Sequence, residues 1–231
     1  MEHEVSWLIR TALGYGVPFD TVMLILFLPI VVTVITFFRQ IVGIKAFGIY
    51  TPAMITFAFL IIGMQSGSLL NGVKYGVTMF VMVIVVGTLS RVFMKRFRLL
   101  YLPRMAIVIT MVAFVTLGVL MISGSFHRTG LANVSIFPIL IMITLVEKFV
   151  STQIDKGSRV AIILSIETLA ISLIAYFLIG WPDLVIFVQK YPLIVFLTVV
   201  INIFLGRWSG LRITEYFRFN NLISGKNDSK K

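Results

Sequence analysis

The stretch Phe19-Asp-Thr-Val-Met-Leu-Ile-Leu-Phe-Leu-Pro-Ile-Val-Val-Thr-Val-Ile-Thr-Phe-Phe38 decides the fold. Past Asp20 it carries no charge, and at about 1.5 Å of rise per residue it matches the ~30 Å hydrocarbon core of a bilayer. A cleaved leader needs a basic start and a small-residue cleavage site. This chain opens Met1-Glu-His-Glu and no such site follows the apolar run, so the segment is read as a retained transmembrane helix.

Carried outward, the same ruler gives six more spans: Ala46–Gly63, Tyr75–Ser90, Met105–Ser123, Val134–Val150, Val160–Ile179 and Tyr191–Leu205. The expected fold is an all-α membrane protein of about seven transmembrane helices. Residues 1–18 are expected to form an outer interfacial segment, 19–206 the seven-helix domain and 207–231 a cytoplasmic tail. Composition agrees. Of 231 residues, 59% are apolar and only 13% charged, with a mean hydropathy of +1.04. A soluble fold of this size could not hide so much apolar surface. Cysteine is absent, which excludes disulfides, thiolate metal sites and thiol nucleophiles. His3 and His127 lie outside the apolar segments, and no phosphate-binding loop or His-Glu-x-x-His is present. The seventh segment has no lysine for a retinal Schiff base, and Asn202 is its one strongly polar interior residue.

Charge sets the expected orientation. The side reached after the first, third, fifth and seventh segments holds sixteen of the twenty Lys and Arg, whereas the other holds Arg10, Lys74, Arg128 and Lys190. By the positive-inside rule the N-terminus is outside and the C-terminus cytoplasmic, which requires an odd number of spans. Trp7, Trp181 and Trp208 fall just beyond apolar segments, at headgroup level.

Gly48-Ile-Tyr-Thr-Pro52 opens the second segment and Ser135-Ile-Phe-Pro138 the fifth. Each puts an aromatic residue and then a proline at the start of the middle helix of a three-helix group. That arrangement reads as a 3+3 inverted repeat plus one helix, in which Pro52 frees a carbonyl one turn earlier and a polar cavity forms there. The simpler reading is a first-turn proline in an ordinary helix.

Intramembrane acids mark the other candidates. Glu167 lies seven residues after Val160, roughly 10 Å inside the sixth segment. It points away from a small-residue stripe, Ala161, Ser165, Thr168, Ser172 and Ala175, and so needs a cation, a protein partner, a cavity or a proton. Glu147 and Lys148 close the apolar run of the fifth segment. They are read as its interfacial end; in the alternative the helix continues to about Gln153 and sinks Glu147 into the inner leaflet, near Lys148 or Arg159. Arg91, Lys95, Arg96, Arg98 and Arg104 form a basic run that suits an anionic partner or lipid headgroups.

Four stretches together resemble one family: Gly48-Ile-Tyr-Thr-Pro-Ala-Met-Ile-Thr-Phe-Ala-Phe59, Leu102-Pro-Arg104, Thr144-Leu-Val-Glu-Lys-Phe149 and Gly210-Leu-Arg-Ile-Thr-Glu-Tyr-Phe-Arg-Phe219. They resemble the bacterial seven-transmembrane module usually fused behind an inactive transglutaminase-like domain. The middle part is also similar to the small membrane subunit of poly-γ-glutamate capsule synthesis. The resemblance implies a multi-pass protein of the bacterial inner membrane, with the soluble domain outside and a cytoplasmic ATP-grasp peptide or glutamate ligase as partner. On it, Glu147 and Lys148 match an acid–base pair, and Arg212, Glu215 and Arg218 match a C-terminal motif. The chain departs by lacking the transglutaminase-like domain, so it is a stand-alone or truncated form, or a separate polypeptide supplies that part.

The expected function is a non-catalytic membrane subunit that anchors such a ligase or exports its product. A secondary transporter using Pro52, Pro138 and Glu167, or a membrane scaffold or sensor, are the alternatives. No metal, cofactor or nucleic acid is expected; the lipid bilayer, the ligase and a periplasmic transglutaminase-like domain are.

Overall fold

The computed structural model describes residues 6–94, 96, 97, 100–125 and 135–207. No strand occurs among them. A short helix α1 (Trp7–Gly14) precedes α2 (Phe19–Phe37), which runs on through a π-helical turn at Phe38–Val42. Next come α3 (Tyr50–Gln65), α4 (Leu69–Met94), α5 (Tyr101–Ser125), α6 (Ile136–Lys156), α7 (Ser158–Ile179) and α8 (Pro182–Lys190). A 3-10 turn at Pro192–Phe196 leads into α9 (Leu197–Arg207).

Five helices are long and apolar enough to cross a bilayer: α2 with its π turn, α4, α5, α6 and α7. The other two expected spans correspond to α3, a shorter apolar helix, and to the stretch Pro192–Arg207, bent by 101° from α8. The architecture is an all-α membrane protein of about seven helices. A helix satisfies its backbone hydrogen bonds internally, which hydrocarbon demands, and apolar side chains do the rest.

Two helix ends depart from the hydropathy ruler. α4 begins at Leu69 rather than near Tyr75, taking in Asn71 and Lys74, and α6 runs past Val150 to Lys156. Polar side chains interrupt the apolar run there without interrupting the backbone. The Thr152 hydroxyl donates to the Lys148 carbonyl at 2.8 Å, and Gln153, fully buried, donates from Nε2 to the Thr88 hydroxyl at 3.3 Å. The helix therefore does not end at Glu147 and Lys148, as the shorter reading had it: both sit near the middle of its 21 residues.

The centre of the bundle is α3 and α6, packed on each other. α3 also packs on α2, α4 and α7, and α6 on α5, α7 and α4. Exchanging α2 with α5, α3 with α6 and α4 with α7 leaves this set of principal contacts unchanged, because α2 also touches α7 and α5 touches α4. α9 lies against α2, outside the six.

Lipid tails are as apolar as leucine, so close packing and hydrogen bonds hold such helices together more than water exclusion does. The small stripe of α7 supplies the close packing: Ala161, Ser165, Thr168, Ser172 and Ala175 are all buried. The Ser172 hydroxyl donates to the Pro52 carbonyl of α3 at 3.0 Å, and the Thr56 hydroxyl donates back to the Ser172 carbonyl at 3.1 Å. A buried aromatic core of Phe59, Phe80, Phe149 and Tyr176 fills the space among α3, α4, α6 and α7. Outward-facing Ile25, Leu89, Phe114, Ile166 and Phe204 supply the lipid-facing belt.

Candidate functional site

The end of the bundle where α2, α4 and α6 finish and α5 and α7 begin gathers the cations. Arg91, near the end of α4, donates from Nη1 to the Ser158 hydroxyl at the start of α7, 2.7 Å away. The connection Gly43–Ile49 is fastened to α7 through its backbone. The Lys45 N–H donates to Glu167 Oε2 at 2.8 Å, and the Phe47 N–H donates to the Thr168 hydroxyl at 3.1 Å. Glu167 therefore finds a backbone donor rather than a cation.

Between this strapped connection and the helix ends lies a cavity of about 770 Å³. Thr36, Arg39 and Gln40 come from the last turns of α2, residues 44–49 from the connection, Thr152 and Lys156 from α6, and Val160 and Leu164 from α7. Three of the lining side chains are cations, Arg39, Lys45 and Lys156, and none is an acid. No ion pair or side-chain hydrogen bond joins these three to another described residue. The rest of the wall divides between polar Thr36, Gln40 and Thr152 and apolar Ile44, Ile49, Val160 and Leu164. Chemically, such a site attracts an oxyanion and tolerates an organic body beside it. Among the described residues no three His, Asp or Glu side chains gather as metal ligands.

The sequence-derived candidates are distributed as follows. Pro52 and Pro138 each occupy the third position of their helix, α3 and α6, and both are buried. There they disturb no helical hydrogen bond, since the first N–H groups of a helix have no internal partner. The cavity includes Gly48 and Ile49, immediately ahead of α3 and one turn before Pro52. Pro138 lies at the far end of α6 from the cavity, fourteen residues and roughly 21 Å from Thr152 by helical rise. Lys148, exposed, sits one turn before Thr152 on the same face of α6, and Glu147 is half-buried. Glu167 is one turn from the lining residue Leu164. The structure thus brings Glu167 beside the cavity, sets Lys148 one turn below it and leaves Pro138 remote. Arg96 is exposed, and Arg104 lies in the first turn of α5. Lys95, Arg98, Arg212, Glu215 and Arg218 fall outside the described residues.

Sequence reasoning counts Arg39, Lys45 and Lys156 only as charges for orientation. One available signal was the Lys148, Thr152, Lys156 spacing, which puts three polar residues on one face of α6. A second missed feature is Pro29, inside α2. The Thr33 hydroxyl donates to the Pro29 carbonyl at 2.7 Å, and Asn202 of α9 donates from Nδ2 to that hydroxyl at 2.8 Å. A polar bridge thus joins α2 to α9 where a mid-helix proline weakens the ladder.

No curated protein and no solved structure matches the chain. A family does. Residues 17–223, about nine-tenths of the chain, match the family described as seven transmembrane helices usually fused to an inactive transglutaminase, in accord with five helices long and apolar enough to span, the short α3 and the bent α8–α9 pair. The chain belongs to that family.

Proposed function

We propose that this protein is a non-catalytic, multi-pass subunit of the bacterial inner membrane that anchors a cytoplasmic ATP-grasp-type ligase and passes its anionic peptide or polyglutamate-like product outward. The observation that carries this reading is the collection of cations at one end of the bundle, around an acid-free cavity. Facing the cytoplasm, as the positive-inside rule directs, that end presents a docking face for an acidic ligase or polyanion. A transglutaminase-like domain, which the family usually carries, would then work on the opposite face.

The test is affinity purification from native membranes with mild detergent, scored by mass spectrometry. An ATP-grasp ligase that co-purifies with the wild type, and is lost when Arg91 and Arg96 are both changed to Gln, supports the reading. Recovery of the chain without any such ligase overturns it.

One observation favours the second reading, a secondary transporter: the packing of α2–α4 and α5–α7 is unchanged by exchanging the two halves. An inverted repeat, if the two halves form one, would let one half rock against the other as in many transporters. Accumulation of substrate by the protein alone in proteoliposomes, abolished by Glu167→Gln, supports that reading and counts against a ligase-dependent subunit.

A further inference from the structure

The cavity at the basic end has features that a lipid-facing or docking surface does not require. Its three cations come from three separate elements: Arg39 from the π turn of α2, Lys45 from the connection and Lys156 from the last turn of α6. They converge on one concavity of about 770 Å³ that contains no carboxylate. The nearest acid on α7, Glu167, is turned to the Lys45 backbone N–H, and Asp155 of α6 accepts from the Ser151 hydroxyl at 3.4 Å. Neither lines the space. Like charges held together in a partly enclosed site repel one another, and a multivalent oxyanion relieves that repulsion.

Two features narrow the chemistry further. The guanidinium of Arg39 offers a planar fork suited to phosphate oxygens, and two lysines add point charges without demanding geometry. Ile44, Ile49, Val160 and Leu164 add apolar surface to the lining. A free inorganic ion has no use for that surface, whereas the organic part of a phosphate ester does.

We infer that this cavity is a binding site for a phosphate ester or diphosphate, with Arg39, Lys45 and Lys156 as its charged ligands and the α7 side, Val160 and Leu164, holding the attached organic group. The ligand enters from the bilayer as a lipid headgroup or from the water as a soluble phosphate. The site does not depend on a ligase partner and stands or falls separately from the proposed function.

The experiment uses the full chain in nanodiscs and has two arms. In the first, the nanodiscs contain only phosphatidylcholine, and pyrophosphate is titrated in by calorimetry. In the second, protein purified from anionic phosphatidylglycerol bilayers is examined by native mass spectrometry for retained lipid. The variants are Arg39→Gln, Lys45→Gln and Lys156→Gln, with the double variant Lys74→Gln, Lys190→Gln at the opposite end as control. Lys45 and Lys156 are exposed, so their single variants keep the test valid if Arg39→Gln fails to fold. Removing one charged ligand is expected to weaken binding about tenfold, and the control to leave it unchanged. Pyrophosphate binding lost in the variants identifies a soluble source, and lipid retention lost in the variants a bilayer source. Binding in neither arm, or binding that the three variants do not change, overturns the site; the latter result means an adventitious ion only.

Discussion

Gly72 shows how closely this bundle is packed. A methyl group there would press on the Tyr176 hydroxyl, come within 2.8 Å of Gly63 Cα and reach 2.9 Å from the Phe59 carbonyl oxygen. Two of these neighbours are backbone and cannot move aside. Gly72→Ala is therefore expected to destabilise the protein by about 3 kcal/mol, read as a lowered thermal midpoint in detergent. Gln153 tests the opposite sign. It is fully buried, and its Oε1 has no hydrogen-bond partner among the described residues. Gln153→Leu keeps the volume and removes the orphan acceptor, so it is expected to be neutral or stabilising by up to about 1 kcal/mol. Gln153→Ala leaves a hole and is expected to cost about 2 kcal/mol. Equal midpoint losses for both variants would show that Oε1 is satisfied after all. At this scale the sequence tells part of the story. The helical stripe from Ala161 to Ala175 follows from 100° periodicity, whereas the partner of Glu167 does not. The expectation left open a cation, a protein partner, a cavity or a proton, and the carboxylate meets a backbone N–H 122 positions earlier. Every residue carries that donor, so no residue type announces it.

Elements were readable where one physical signal dominates. An uninterrupted apolar run predicts a span, which is why α2, α5 and α7 lie where hydropathy puts them. Hydropathy fails at α4 and α6, whose ends are polar but still helical, and at α8, which the ruler passes over as a loop. The turn between α6 and α7 has its own chemistry. Gly157 is the single residue between Lys156 and Ser158, with φ 89° and ψ 162°. That combination is essentially closed to residues with a Cβ, and the strain costs about 1–3 kcal/mol. No heavy atom outside its immediate surroundings lies within 4 Å of a Cβ built there, so the loss would come from backbone strain alone. Gly157→Ala is expected to lower the thermal midpoint by that amount. It should also disturb the cavity, since Lys156 and Val160 flank the turn. A Gly157→Ala protein as stable as the wild type would mean that the turn relaxes to another conformation.

At the scale of the whole molecule, charge and packing make separate arguments for one topology. By the positive-inside rule, the sixteen-to-four division of Lys and Arg predicts an odd number of crossings. The packing gives six helices in two interchangeable groups of three, followed by α9 alongside α2. If each of the six crosses the bilayer, the second group of three runs upside down relative to the first, and a seventh crossing restores the original direction. Without the seventh crossing the six basic residues from Arg207 onward would move to the other face and the charge bias would vanish, while the opposite directions of α3 and α6 would stand unchanged. The basic cavity asks less, because its walls are the last turns of α2 and α6 and the first turns of α7. These meet only if α2 and α6 run in parallel and α7 returns. The end opposite the cavity has its own junction, where the Ser6 N–H donates to the Gln189 carbonyl at 3.1 Å and ties the start of α1 to the end of α8. Exposed Tyr15 follows α1, and exposed Asp155 lies beside the cavity end of α6. The chain has no cysteine, so Tyr15→Cys and Asp155→Cys each add a single reporter. In intact cells stripped of their outer layers, a membrane-impermeant maleimide is expected to label Tyr15→Cys at once and Asp155→Cys only after the membrane is opened. Labelling of both in intact cells would put the cation-rich end and the N-terminal helix on one face, and the seven-crossing topology would have to be abandoned together with the cytoplasmic placement of the cavity.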